Sequence, residues 1–143
     1  NDPTNSCHIR DDHVSECGAG WTCTARDTFD ITGDGVPDRI DAQGVPWSVY
    51  PGIRPDVNGA GGGFSPTPIA WGVSEGDPLP AYVRREFAAP PVNFSSVRST
   101  YQDVVDVNGD GLPDLVVAGS SVWKFYLNRG NGFAPAERWG APR

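Results

Sequence analysis

Asp106-Val107-Asn108-Gly109-Asp110-Gly111-Leu112-Pro113-Asp114, running on into Leu115-Val116-Val117, puts oxygen-bearing side chains at loop positions 1, 3, 5 and 9 and glycine at positions 4 and 6. A hard divalent cation of calcium's size takes six to eight oxygens at about 2.3–2.6 Å, and a tight acidic loop supplies them from alternate side chains and one backbone carbonyl. The pattern predicts a Ca2+ cradle made by Asp106, Asn108, Asp110 and Asp114, with the carbonyl of Leu112 at position 7. Three carboxylates so close together would otherwise repel, because like charges about 4 Å apart cost on the order of 1 kcal/mol per pair even when well solvated.

The residues after the loop decide the fold class. A helix-loop-helix calcium hand needs a bidentate acid at position 12 and a helix behind it. Position 12 is Val117, and the chain continues as Leu115-Val116-Val117 and then Val122-Trp123-Lys124-Phe125-Tyr126-Leu127, broken by Gly119-Ser120-Ser121. β-Branched and aromatic runs of this length read as strands. Pro113 at loop position 8 agrees, since proline is tolerated at a strand's start but not inside a helix. Four short strands are expected, at about 104–107, 115–118, 122–127 and 133–136, with Asn128-Arg129-Gly130-Asn131-Gly132 turning the third into the fourth.

The same device occurs earlier as Asp30-Ile31-Thr32-Gly33-Asp34-Gly35-Val36-Pro37-Asp38. A shift of 76 residues lays 26–50 on 102–126 without a gap, with identities at Asp27, Asp30, Gly33, Asp34, Gly35, Pro37, Asp38, Trp47 and Tyr50. A second Ca2+ site is therefore expected from Asp30, Thr32, Asp34 and Asp38 with the carbonyl of Val36. It is the poorer of the two, because Thr32 offers a hydroxyl where Asn108 offers an amide oxygen. Asp27 and Asp103 precede the loops and are read as turn caps. In the first unit a Gly-rich insertion at 51–63 delays the Gly63-Phe64 that answers Gly132-Phe133, and each unit carries a Trp in its third strand and another at its end, Trp71 and Trp139. Aromatics at matching repeat positions are read as core between neighbouring sheets.

These motifs resemble the FG-GAP and VCBS-type repeat, which builds calcium-binding blades in integrin alpha-subunit propellers. The match is similar to the version in the N-terminal region of Tc-toxin B components and related Rhs-type secreted proteins, where a terminal Trp-x-x-Pro recurs; here it is Trp139-Gly140-Ala141-Pro142. The resemblance spans about 24–142, is strong in the loops and is weak between Gly72 and Ser99. It implies an all-β fold of two tandem four-stranded antiparallel blade-like units of a β-propeller-type repeat, with Ca-binding loops between strands. The expected division is an irregular Cys-containing N-terminal extension at 1–23, a first repeat with linker at 24–98 and a second repeat at 99–143. The resemblance implies no catalytic residue and no single biological role.

A closed propeller uses about four to eight blades. Two units are too few, so homo-oligomerisation or further repeats of a longer parent are the expected partners, stacked through blade faces that would otherwise be apolar and open to water. The absence of Met suggests that Asn1 is a processing boundary.

Eighteen Gly and fourteen Pro fit a turn-rich β protein, and a formal charge of −7 from 18 acids against 11 bases gives no basic face for nucleic acid. Six of those acids are loop ligands. Arg84-Arg85 is read as a solvated basic pair. No apolar run approaches the 18 or so residues of a membrane span. Cys7, Cys17 and Cys23 crowd the first 23 residues, which suggests a disulfide in a secreted protein, with three pairings open; a zinc site with His8 and His13 matches no standard spacing. No Gly-x-Ser-x-Gly elbow, phosphate loop or His-Glu-x-x-His helix is present, so an enzyme is not expected. The expected function is a secreted, extracellular or cell-surface calcium-binding module with a structural or assembly role. The alternative is adhesion, with a glycan or cell-surface protein recognised by blade-edge loops such as 51–63.

Overall fold

The computed structural model describes residues 14–16, 20–88, 98–119 and 121–140, and the protein over these residues is all β. Thirteen strands run in chain order: β1 (Val14–Glu16), β2 (Trp21–Thr24), β3 (Arg26–Phe29), β4 (Asp38–Asp41), β5 (Trp47–Tyr50), β6 (Gly52–Ile53), β7 (Gly63–Phe64), β8 (Ile69–Trp71), β9 (Arg84–Ala88), β10 (Arg98–Val105), β11 (Asp114–Val117), β12 (Val122–Tyr126) and β13 (Glu137–Gly140). They form a four-stranded sheet ordered β3-β4-β5-β8, a seven-stranded sheet ordered β1-β2-β9-β10-β11-β12-β13, and a β6-β7 ribbon. All ladder pairings are antiparallel.

The two expected blades are thus present as β3-β4-β5-β8 and β10-β11-β12-β13, with two departures from the sequence reading. The fourth strands fall later than Gly-Phe. Gly63-Phe64 pairs back on Gly52-Ile53, and Phe133 bridges to Asn128, so the same Gly-Phe element folds back on position 52 or 128 in each repeat before the fourth strand begins. The second departure is that β9 and β2 extend the second sheet beyond β10. The described part of the extension is therefore strand, not irregular chain, and the weakly patterned 72–98 region contributes β9 to the second unit. Cys23, inside β2, is fully buried and disulfide-bonded. Its pairing with Cys7 or Cys17 lies outside the described residues.

One core joins the sheets. Ile31, Ile40, Ala42, Trp47, Val49 and Trp71 from the first unit pack with Leu115, Tyr126 and Phe133 from the second, and Leu79 and Val83 of the connecting segment close the cluster. The Phe133 ring lies 5.5 Å from Trp47 and 6.3 Å from Trp71, edge-on to both. Burying a ring of tryptophan's size removes roughly 150–250 Å² from water, or about 4–6 kcal/mol of gross transfer free energy. Segment 78–82 is strapped across this core by side chains that donate to its carbonyls: Trp47 Nε1 to Pro80 at 2.8 Å, Gln102 Nε2 to Tyr82 at 2.6 Å, and the Tyr126 hydroxyl to Pro78 at 3.2 Å.

Alternation along each strand fixes the composition of the other faces. The first sheet's outer face carries Arg26 paired with Asp41 at 3.2 Å and Arg39 over Tyr50. It is polar, which corrects the expectation of an apolar face there. The second sheet's outer face carries Val116, Phe125, Trp123 and Trp139, with Trp139 52 % exposed. Trp47 pairs with Trp71 as Trp123 pairs with Trp139, yet only the first pair is core.

Candidate metal centre

Both loops lie where β3 hands over to β4 and β10 to β11, and both are organised around the aspartate at position 1. Asp30 accepts the backbone N–H groups of Gly33, Asp34 and Gly35 at 2.7, 3.2 and 2.8 Å. Asp106 accepts those of Gly109, Asp110 and Gly111 at 2.8, 3.2 and 2.8 Å. Pointing three successive amides at one carboxylate requires left-handed backbone at positions 4 and 6, where φ is +79° and +85° in the first loop and +76° and +86° in the second. That is why glycine occupies them. The amides hold the Asp106 carboxyl below the usual aspartate range, the N–H of Gly111 contributing most. At position 5, Asp34 and Asp110 each accept the N–H two residues on, Val36 and Leu112, at 2.9 Å.

The loops diverge at position 9. Asp114 is fully buried and accepts the N–H of Val107 at 2.9 Å and of Asn128 at 2.8 Å. Carboxylate oxygens of Asp106, Asp110 and Asp114 come within 4.8 Å of one another, and no other three acids among the described residues gather so closely. Asn108 turns its side-chain oxygen toward the Asp110 N–H at 3.2 Å. Asp38, equally buried, accepts four donors: the N–H of Ile31 and of Thr32 and the Thr32 hydroxyl on one oxygen, each at 3.0 Å, and the N–H of Gly52 at 2.9 Å on the other. Asp30, Asp34 and Asp38 are not drawn into a comparable group.

The two loops touch. A side chain at Gly33 would collide with Leu112. The buried amide of Asn128 donates to the carbonyl of Ile31 at 2.8 Å in the first loop and to that of Pro113 at 3.0 Å in the second. Asp27 and Asp103, read as turn caps, each accept the next residue's N–H at 2.8 Å and also share Arg84, which reaches them at 3.6 and 2.9 Å. Arg84 is thus engaged between the repeats rather than simply solvated, a correction that nothing in its local sequence foretells.

The donor set of the second loop is all oxygen: three carboxylates, an amide and a backbone carbonyl. That composition fits a hard divalent cation and is unsuited to metals that prefer sulfur or imidazole. Asp106, Asn108, Asp110, Leu112 and Asp114 would hold it. The first loop offers the corresponding Asp30, Thr32, Asp34, Val36 and Asp38, with its position 9 acid already accepting four protein donors, three of them on one oxygen.

Compared with known families, residues 106–143 match the family described as FG-GAP-like repeat. No curated protein and no solved structure matches the chain. From the second loop through β13, this protein carries an FG-GAP-type repeat folded as a propeller-type blade.

Proposed function

We propose that this chain is a secreted, calcium-binding repeat module whose role is structural, acting by stacking blade on blade in a larger assembly, and not an enzyme. The observation that carries the reading is an unmatched pair of equivalents. Phe133 sits against Trp47 and Trp71, whereas Trp139, the counterpart of Trp71, is 52 % exposed and Phe64, the counterpart of Phe133, is 44 % exposed. A further repeat or a second copy would make the contact again. The acidic group of Asp106, Asp110 and Asp114 supports the metal, since an ion bound there fixes the corner from which β11 leaves. FG-GAP repeats are typically extracellular, and no helix among the described residues is long and apolar enough to cross a membrane.

Calcium at about 100 times its dissociation constant adds roughly 2.7 kcal/mol per site, or about 5–10 °C in melting temperature for a domain of this size. Melting in calcium and in chelator therefore tests the metal. Sedimentation tests the assembly: Phe64→Ser and Trp139→Ser should each weaken self-association, while a mixture of the two variants pairs one to one, each supplying the side chain the other lacks. A chain that stays monomeric at high concentration in calcium, alone and mixed, overturns stacking between copies. The alternative of adhesion through loop 51–63 rests on its exposure, with Val57 wholly in solvent at the tip; saturable binding on a glycan array, lost on deleting that loop, would favour it.

A further inference from the structure

At the Gln102–Val117 end of the β10–β11 ladder, away from the metal loop, a cavity of about 400 Å³ opens between residues 78–82 and the inner face of the second sheet. That is within the range of small-ligand sites. Its walls come from distant parts of the chain: Trp21 on β2, Tyr82 before β9 and Arg85 in it, Tyr101 and Gln102 at the bulge of β10, and Val117 and Lys124 on β11 and β12. The bulge matters, because the register shift between Thr100 and Gln102 brings Tyr101 onto the same face as Gln102. Tyr101 then meets Trp21 edge-on at 5.0 Å.

Arg85 is the unusual group here. Its guanidinium lies 3.8 Å from the Trp21 ring and 5.8 Å from that of Tyr82, so one flat face is taken by stacking. Its Nε is buried and has no hydrogen-bond partner, and among the described residues no carboxylate pairs with it. Its neighbour Arg84 holds two. The other cation of the cavity wall, Lys124, is engaged by Asp77 at 3.0 Å. Buried polar atoms are nearly always satisfied, and an exception calls for a reason. Guanidinium edges match a carboxylate in geometry as well as charge, offering two parallel N–H donors.

We propose that this cavity binds a small carboxylate carrying a ring-sized body, the carboxylate lying on the guanidinium edge of Arg85 and the body against Tyr101, Leu79 and Val117. Two sources share that chemistry, acidic monosaccharides and apolar ring acids. The experiment separates them by titrating the calcium-loaded chain with D-glucuronate, D-glucose, benzoate and benzyl alcohol, read by Trp fluorescence and by calorimetry. The expected result is saturable binding of glucuronate or benzoate, with the neutral analogue of the bound acid weaker by about tenfold or more, as loss of a charge-assisted pair implies. Arg85→Met should remove that preference while leaving calcium binding intact, and Tyr101→Ala should weaken the acid without removing the preference. Because Arg85→Met also removes a buried, unpaired polar atom, its melting temperature should hold or rise. Failure of both acids to bind, equal binding of acid and neutral analogue, or an acid preference that survives Arg85→Met overturns the proposal. So does a fall in melting of more than about 5 °C in that variant, which would make Arg85 a structural prop.

Discussion

The first and second loops share backbone, glycines and the hub at position 1, yet they treat the acid at position 9 differently. Asp38 is consumed by four donors from its own protein, while Asp114 accepts two and joins Asp106 and Asp110 in one group. One residue accounts for much of this. Thr32 carries a hydroxyl proton, and it donates to Asp38; Asn108 presents an oxygen and leaves Asp114 to the loop. The same scaffold therefore turns its position 9 acid toward protein donors in one repeat and groups three acids as a cation would require in the other.

The largest effect should come from removing the position 9 acids in chelator. Asp38→Ala orphans four donors and Asp114→Ala two, and a buried donor left unpaired costs about 1–3 kcal/mol. Allowing for water reaching part of each gap, the first variant should lose about 4 kcal/mol and the second about half that. Denaturant melts in chelator would read the difference, and equal losses would break the contrast between the loops. A smaller effect sharpens it. Thr32→Asn should remove one of the three donors on one Asp38 oxygen and supply an amide oxygen, raising calcium affinity at the first loop about tenfold, with Asn108→Thr lowering the second comparably. Calorimetry on each variant is the check. Smallest is the acid limb of stability without metal. Asp106 titrates below the ordinary aspartate value in the fold because the Gly111 amide and its neighbours favour its charged form. A depressed carboxyl stabilises the fold above the unfolded value and loses that contribution as pH falls through the folded one. Carboxyl NMR shifts in chelator should place Asp106 below a free aspartate, and a value at or above it would deny Asp106 the role of hub.

The loops are legible in the sequence because every amide partner of Asp30 and Asp106 lies within five residues, so spacing alone carries the geometry. β11 and β12 are equally plain as apolar runs. The fourth strand reads too early, at 133–136, because Phe133 is apolar and comes just after a turn. Its ring is needed between Trp47 and Trp71, and Pro135 lacks the N–H a ladder requires. β9 gives no local signal at all, since its strand identity comes from pairing with β2 and β10. For the same reason Arg85 reads as surface. Its surroundings arrive from residues 21, 82 and 101, and no window of sequence contains them together.

The contact that joins the two sheets sets a direction. The Trp-bearing face of the first sheet meets the Tyr-bearing face of the second, so the pair has unlike ends: one presents Phe64 beside Arg26, Arg39 and Asp41, the other presents Trp123 and Trp139. A two-fold axis would set like ends together and would not reproduce this joint. Were it repeated, it would run head to tail, and the turn between successive sheets would decide whether the series spirals onward or meets its own beginning.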